Sequence, residues 1–238
     1  FYSNITPGIC KIKVIAPAPK LVVKESCESE VQSPSPFIDS GEICPNAMIA
    51  IRFNVAMKPE TLTAEAISVK DDGKNINLEF HDFIKDEQGQ EMGAIYKPSQ
   101  TLVANKKYTV NLNVDLLQSK SGQYLDVSSI TSWSFNTGSN DSCKIKDVYV
   151  NPGQRSLVVG DTEKYSALAV GQRCQLISTN NQGWQWRSVD NTVATINNNN
   201  SSFANAVAVG AGSTYIRARH SNIENKGNNG LLISSLST

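Results

Sequence analysis

The sequence predicts an all-β protein: two β-sandwiches in tandem behind an extended N-terminal arm. Three observations predict it. Short runs rich in β-branched and aromatic residues recur between Gly, Pro, Asn and Asp clusters, the spacing of a sandwich or barrel. Long amphipathic helical patterns are lacking, and Lys58-Pro-Glu-Thr-Leu-Thr-Ala-Glu-Ala66 alone could hold a short helical turn. A polar break at Asn136-Thr-Gly-Ser-Asn-Asp-Ser142, free of large apolar residues, divides the chain as a linker would.

Taken in order, the strand signals begin with Met48-Ile-Ala-Ile-Arg-Phe53 and Ile76-Asn-Leu-Glu-Phe80. Lys107–Val114 alternates, with Tyr108, Val110, Leu112 and Val114 on one face, and Trp133-Ser-Phe135 alternates again. Beyond the break come Val148-Tyr-Val150, Tyr165-Ser-Ala-Leu-Ala-Val170, Val193-Ala-Thr-Ile196 and Thr214-Tyr-Ile-Arg-Ala218. Each is expected to turn one face to a core and the other to water. The two halves echo one another. Cys10-Lys-Ile-Lys13 precedes Ala-Pro and Leu21-Val-Val23; Cys143-Lys-Ile-Lys146 precedes Asn-Pro and Leu157-Val-Val159. This places an arm or the remnant of an upstream domain at residues 1–27, a sandwich at 28–138, a linker at 139–142 and a second sandwich at 143–238.

The 238 residues carry 22 basic and 22 acidic side chains, so the net charge is zero and nothing points to nucleic acid. No apolar run approaches the roughly 20 residues of a membrane-spanning helix. Charged residues make up 18%, with Asn, Ser and Thr abundant in their place, as in many exported β proteins. The chain begins at Phe1 and reads as a processed or excised piece. Five widely spaced cysteines, without Cys-x-x-Cys or zinc spacing, suit disulfides of an oxidising compartment.

Two resemblances follow from longer motifs. Ser33-Pro-Ser-Pro36, Gly41-Glu-Ile-Cys-Pro-Asn46, Ile49-Ala-Ile-Arg-Phe-Asn-Val-Ala-Met57, Thr61-Leu62, Leu102–Val110, Ser121-Gly122 and Trp133-Ser-Phe-Asn-Thr137 occur in the order of the bacterial Ig-like domain of surface-layer type, which residues 28–137 resemble. Val148-Tyr-Val-Asn-Pro152, Gly160-Asp-Thr162, Trp186–Ile196 and Gly210–Ala218 make residues 143–234 similar to the group 2 bacterial Ig-like domain of intimin-type adhesins. There the loop Asn197-Asn-Asn-Asn-Ser-Ser202 departs from the family's tight glycine turn. The resemblances imply two tandem immunoglobulin-like sandwiches at the bacterial cell surface and name no ligand.

Cys143 and Cys174 fall in the second domain and are expected to pair; Cys27 and Cys44 flank the leading strand of the first and are expected to pair there. Cys10 is then left over, for an intermolecular bond or as a thiol whose partner lies in a missing upstream segment, with Cys10–Cys27 and Cys10–Cys44 open as alternatives. Ile9-Cys-Lys-Ile-Lys-Val-Ile15 presents Ile9, Ile12, Val14 and Ile15 as a strand that either continues an upstream domain or adds to a neighbour's sheet edge.

Catalytic chemistry is not expected. His81 and His220 sit apart from any nucleophile motif and read as solvated residues. Glu79, Asp82, Asp86 and Glu87 read as a solvated hairpin rather than a glycosidase pair. No cofactor is expected; Asp71-Asp72-Gly73-Lys74-Asn75 is the one candidate for calcium, with a plain β-turn as the competing reading. Trp184, beside Asn180, Asn181 and Gln182, is a candidate for stacking against a glycan. The function expected is a non-catalytic structural protein outside the cell, a stalk, surface-layer-like array or filament subunit that assembles with itself or other surface proteins. The alternative is a ligand- or carbohydrate-binding module of an adhesin or larger surface hydrolase.

Overall fold

The computed structural model describes residues 16–25, 32–139, 143–179, 182–226 and 230–234. Seven strands belong to the first half: β1 (Ile49–Arg52), β2 (Ile67–Asp71), β3 (Lys74–Ile76), β4 (Leu78–Lys85), β5 (Glu91–Pro98), β6 (Lys107–Leu112) and β7 (Ser132–Asn136). They form two antiparallel sheets, β1-β5-β4 and β3-β2-β6-β7. The apolar positions of the alternating strands meet between them. Ile49 and Ile51 of β1, with Ala94 and Tyr96 of β5, pack against Val69, Tyr108, Val110, Trp133 and Phe135. Two of the aromatic polar atoms here find partners: Trp133 Nε1 donates to Pro36 O (3.1 Å), and Tyr108 Oη accepts from Val103 N–H (2.8 Å), whereas Tyr96 Oη is buried without one. The turn foreseen at 58–66 is a pair of 3-10 turns, Pro59–Thr61 and Ala64–Ala66.

The second half holds β8 (Ile145–Asn151), β9 (Arg155–Val158), β10 (Thr162–Gly171), β11 (Leu176–Ile177), β12 (Gln185–Ser188), β13 (Ala194–Ile196), β14 (Phe203–Ala208), β15 (Gly212–His220), β16 (Ile223–Glu224) and β17 (Gly230–Ser234). One sheet runs β11-β10-β14-β13 with β8 also on β10; the other runs β12-β15-β17-β9, with β16 on β15 and a parallel β17–β9 pair. Trp184 and Trp186 both point into the core between them, as their two-residue spacing dictates. Small residues at Ala167, Ala169, Ala204, Ala206 and Ala208 make room for the two indoles on the facing sheet.

Residues 197–202, the polar loop that stands in place of the family's tight glycine turn, cover the end of the second sandwich. Asn198 Oδ1 accepts from Trp186 N–H (3.1 Å), Asn200 Oδ1 from Gly183 N–H (2.8 Å), and Ser201 O from Trp186 Nε1 (2.8 Å). The loop thereby satisfies donors on the outer side of β12, an end strand.

The expectation of one wet face per strand fails for the strands that matter most. Between the two sandwiches lies a third apolar layer of Met48, Ala50, Ile84, Ile95, Leu168, Val170 and Leu176, with Tyr149 packed against it. Neighbours along each strand alternate between layers: Ile49 and Ile51 inward, Ala50 outward; Ala94 and Tyr96 inward, Ile95 outward; Ala167 and Ala169 inward, Leu168 and Val170 outward. Strands β1, β5 and β10 are thus buried on both faces, and the four sheets stack in four layers. Strands of that kind read as continuous apolar runs, which is how Met48-Ile-Ala-Ile51 and Ala167-Leu-Ala-Val170 read.

Gly93 of β5 belongs to the same close packing. A Cβ there would lie 1.9 Å from Ile51 O, a backbone atom that cannot swing aside. Gly93→Ala is expected to destabilise the fold by at least 1–3 kcal/mol, the cost of overpacking. Leu168, 2% exposed and on the face of β10 opposite Ala167 and Ala169, reports on the middle layer. Leu168→Ala is expected to cost about 2–5 kcal/mol, read from urea denaturation midpoints at unchanged slope.

Candidate functional site

The seam between the sandwiches brings the most side chains with specific roles together. Its first component is backbone pairing. Residues 46–48, leading into β1, run antiparallel to β11: Met48 N–H donates to Leu176 O (2.8 Å), Ser178 N–H to Asn46 O (2.8 Å), and Ala47 is bridged to Ile177. Leu176 N–H donates to Ser35 Oγ (3.0 Å). The second sandwich therefore continues the hydrogen bonding of the first, and donors that would otherwise be stranded at a buried edge are satisfied.

The second component is polar and lies around the apolar layer. Glu163, 7% exposed at its side chain, receives Arg155 of its own sandwich (2.6 Å) and Lys85 of the other (3.1 Å). Arg155 Nη1 also donates to Glu87 O (3.1 Å) across the seam. The β4–β5 hairpin is shaped to admit this guanidinium, since a Cβ on Gly89, at φ +79°, would fall 2.6 Å from Arg155 Nη1. Asn151, nearly buried, donates through Nδ2 to Phe83 O (2.7 Å) and Asp82 Oδ2 (3.1 Å). The stretch that carries Glu79, Asp82, Asp86 and Glu87 is therefore not simply a solvated hairpin. Asp82 and the Glu87 carbonyl hold the seam, and Asp86 closes its own turn by accepting from Gln88 and Gln90 N–H.

The third component is covalent. Cys44 and Cys143 are disulfide-bonded, with a sequence separation of 99. This corrects the expected pairing of Cys143 with Cys174 and of Cys27 with Cys44. Sorting cysteines by domain failed because the Cys44 turn, fully buried, belongs to the second sandwich's apolar cluster although its neighbours belong to the first. Cys174 is disulfide-bonded too, but not to Cys143. Cys10 and Cys27, and the strand-donor residues Ile9, Ile12, Val14 and Ile15, lie outside the described residues. Of the linker, Gly138 N–H donates to Ile43 O (2.8 Å), and Thr137 Oγ1 to Val103 O (2.6 Å), so the chain is tied down to within a few residues of Cys143.

Trp184 is corrected as well. It is 1% exposed, with its ring 4.7 Å from that of His220 and a buried Nε1. No glycan can stack on it, because the core claims the same face of the strand that Trp186 uses. Asp71, the first carboxylate of the calcium candidate, is bonded through both oxygens to Lys106 Nζ (3.0 and 3.2 Å), and Asp72-Gly73 form the tight turn between β2 and β3. Among the described residues, no group of three His, Cys, Asp or Glu side chains could hold a metal.

His81 is the remaining revision. It is half-buried rather than solvated, its ring 5.3 Å from Phe203 of the second sandwich, whose face also carries Lys164 Nζ at 4.2 Å. Glu79, His81, Lys97, Ser178, Thr179, Ser202 and Phe203 line a groove of about 170 Å³ along the seam. Burial is the main force holding the His81 pKa below its ordinary 6.5; Lys97 and Lys164 push the same way and Asp82 opposes. His220 Nδ1 meets Ser221 Oγ (2.8 Å), its sequence neighbour in a turn, while its ring packs on Trp184.

The direction of the His81 shift fixes a pH dependence. Above pH 6.5 the ring is neutral folded or unfolded. As pH falls through 6.5 the unfolded chain takes up a proton that the folded chain resists, so stability is lost towards the folded pKa. The wild type is expected to lose melting temperature between pH 7.5 and 5.5, and His81→Gln to lose less. Trp184→Ala is expected to cost about 3–5 kcal/mol, seen in the same melts.

Residues 28–137 match the family model described as the bacterial Ig-like domain. No curated protein matches the chain. Among solved structures the chain is similar to the N-terminal part of the bacterial S-layer protein SbsC, at 15% identity and TM-score 0.34 over 91% of this chain and 44% of that one. It is similar to domains 1–6 of surface layer protein SbsC at 15% identity and TM-score 0.38, over 92% of this chain and 26% of that one. A third likeness is to the Bacteroides ovatus mixed-linkage glucan utilization locus protein SGBP-B, in complex with a mixed-linkage heptasaccharide: 10% identity and TM-score 0.28, over 89% and 46%. The chain therefore spans less than half the length of each of these proteins. Residues 28–137, which hold the sandwich of β1 to β7, are thus similar to the bacterial Ig-like domain.

Proposed function

We propose that the chain is a non-catalytic structural module of a bacterial cell-surface protein, working outside the cytoplasm. The observation that carries this reading is the seam. Two sandwiches that share an apolar layer, cross-strand hydrogen bonds, a buried ion cluster and a disulfide make one stiff block rather than two beads on a string. Conserving shape is what a stalk, array or filament subunit requires. The polar side chains at the seam are consumed in holding the halves together, which leaves them unavailable for acid–base work. A disulfide across a cytoplasmic seam would be kept reduced, so its presence favours an oxidising location.

Assembly through strand addition extends the proposal. Residues 9–15 would add to the edge of a second copy, and β4 is an end strand of its sheet. Assembly of that head-to-tail kind does not close and gives filaments. Size-exclusion chromatography and negative-stain microscopy of the full chain are expected to show oligomers or fibres, lost when residues 1–15 are deleted. A full chain that stays monomeric and binds members of a glycan array would overturn the structural reading in favour of a carbohydrate-binding module.

A further inference from the structure

Beside the contacts that hold the two sandwiches, one group of polar side chains at the seam holds nothing. Glu163, Arg155, Lys85, Asn151 and Asp82 bond to one another or to backbone across the two halves. His81, Lys97 and Lys164 do not. Among the described residues neither ring nitrogen of His81 has a hydrogen-bond partner, and neither lysine enters an ion pair. A β-bulge brings the imidazole there. In the β4–β5 ladder Phe80 faces Tyr96 and Asp82 faces Ile95, the adjacent residue of β5, so His81 is one residue extra on β4. The seam thereby receives two consecutive side chains where alternation allows one. Asp82 reaches Asn151, and the half-buried His81 reaches Phe203.

The groove beside His81 gathers positive charge. Its lining includes Lys97, Ser178, Thr179 and Phe203, over whose ring Lys164 Nζ lies 4.2 Å from the centroid. Both lysines act electrostatically on His81. Two carboxylates oppose them: Asp82, already bonded to Asn151, and Glu79, which faces Lys97 in the ladder without a salt bridge among the described residues. The Ser178 and Thr179 hydroxyls are also unbonded among the described residues. Two ammonium groups, an imidazole and two hydroxyls around one half-buried cleft match an acceptor that carries negative charge on several oxygens.

We propose that this groove binds an oxyanion, the carboxylate or the sulfate- or phosphate-type group of a polar ligand, between His81, Lys97 and Lys164, with Ser178 and Thr179 as neutral donors. The groove holds about 170 Å³, and a hollow of about 290 Å³ adjoins it through the shared Lys97, Ser178 and Thr179. Asn46, Gln100 and Thr101 line that hollow, which suits a polar rather than an apolar body for the rest of the ligand. Binding is coupled to a proton. An anion beside His81 favours the imidazolium, so the ligand binds more tightly as pH falls through the pKa of the ring. The site uses groups that the seam does not, and it stands whether or not the protein is a surface module.

NMR titration of the full, oxidised chain tests it, because His81 and His220 are its two histidines and each imidazole reports separately. In sodium sulfate or sodium acetate, compared with sodium chloride at equal ionic strength, the His81 midpoint is expected to rise by about 0.5–1 in pH while that of His220 stays in place. Lys97→Gln combined with Lys164→Gln, both exposed positions, is expected to abolish the difference between the salts. Glu79→Gln is expected to tighten anion binding about threefold to tenfold, by removing the opposing charge. A response to either anion supports the site, acetate alone marking a carboxylate groove and sulfate alone a tetrahedral one. Equal His81 midpoints in all three salts, a His220 shift of the same size, or a response that survives the double lysine variant would overturn the proposal.

Discussion

The contact on which the rest depends is the burial of sheet β1-β5-β4 against the β10 sheet. Met48, Ile84, Ile95, Leu168, Val170 and Leu176 leave water there, each burial being worth roughly 1.5–3 kcal/mol before conformational entropy is charged against it. No directional force is involved, yet the layer fixes direction. Once these faces are pressed together, the lead-in to β1 comes alongside β11, and their backbone groups must pair because water is excluded from them.

Polar chemistry at the seam follows from the same exclusion. Glu163 would be costly so deep between two sheets without cations, and Arg155 and Lys85 reach it from opposite sides. Such a cluster adds little net stability compared with an apolar filling; its contribution is to make one relative placement of the sandwiches satisfied and others not. Asn151 does the same with neutral groups, through an amide that finds the Phe83 carbonyl only in this register. His81 is drawn into the seam by its neighbours and loses basicity for it. The structural role proposed for the protein rests on this combination of an undirected apolar layer with directed polar contacts around it.

Much of each sandwich was legible in the chain. Tyr108, Val110 and Leu112 alternate because β6 has one buried face, and they pack where their period puts them. Trp184 and Trp186 share a face for the same reason, so the glycan-stacking reading of Trp184 went against the evidence of its own spacing. Strand β5 went unread, because Glu91-Met-Gly-Ala-Ile-Tyr96 mixes charge, glycine and an apolar run without alternation. The seam left a signal as well, in the unbroken apolar runs at 48–51 and 167–170, but such a run does not say which surface will cover its second face.

By itself, then, the sequence determined the β period, the aromatic centres and the resemblance of residues 28–137 to a bacterial Ig-like domain. All of these are written in residues close together in the chain, where spacing alone decides which side chains share a face. Tertiary structure decided which second faces are buried, which charges meet across the seam, and which cysteines join. A disulfide needs two Cα atoms within a few ångströms, and for Cys44 and Cys143 that proximity is created by the stacking of whole sheets, across a separation that no local pattern spans.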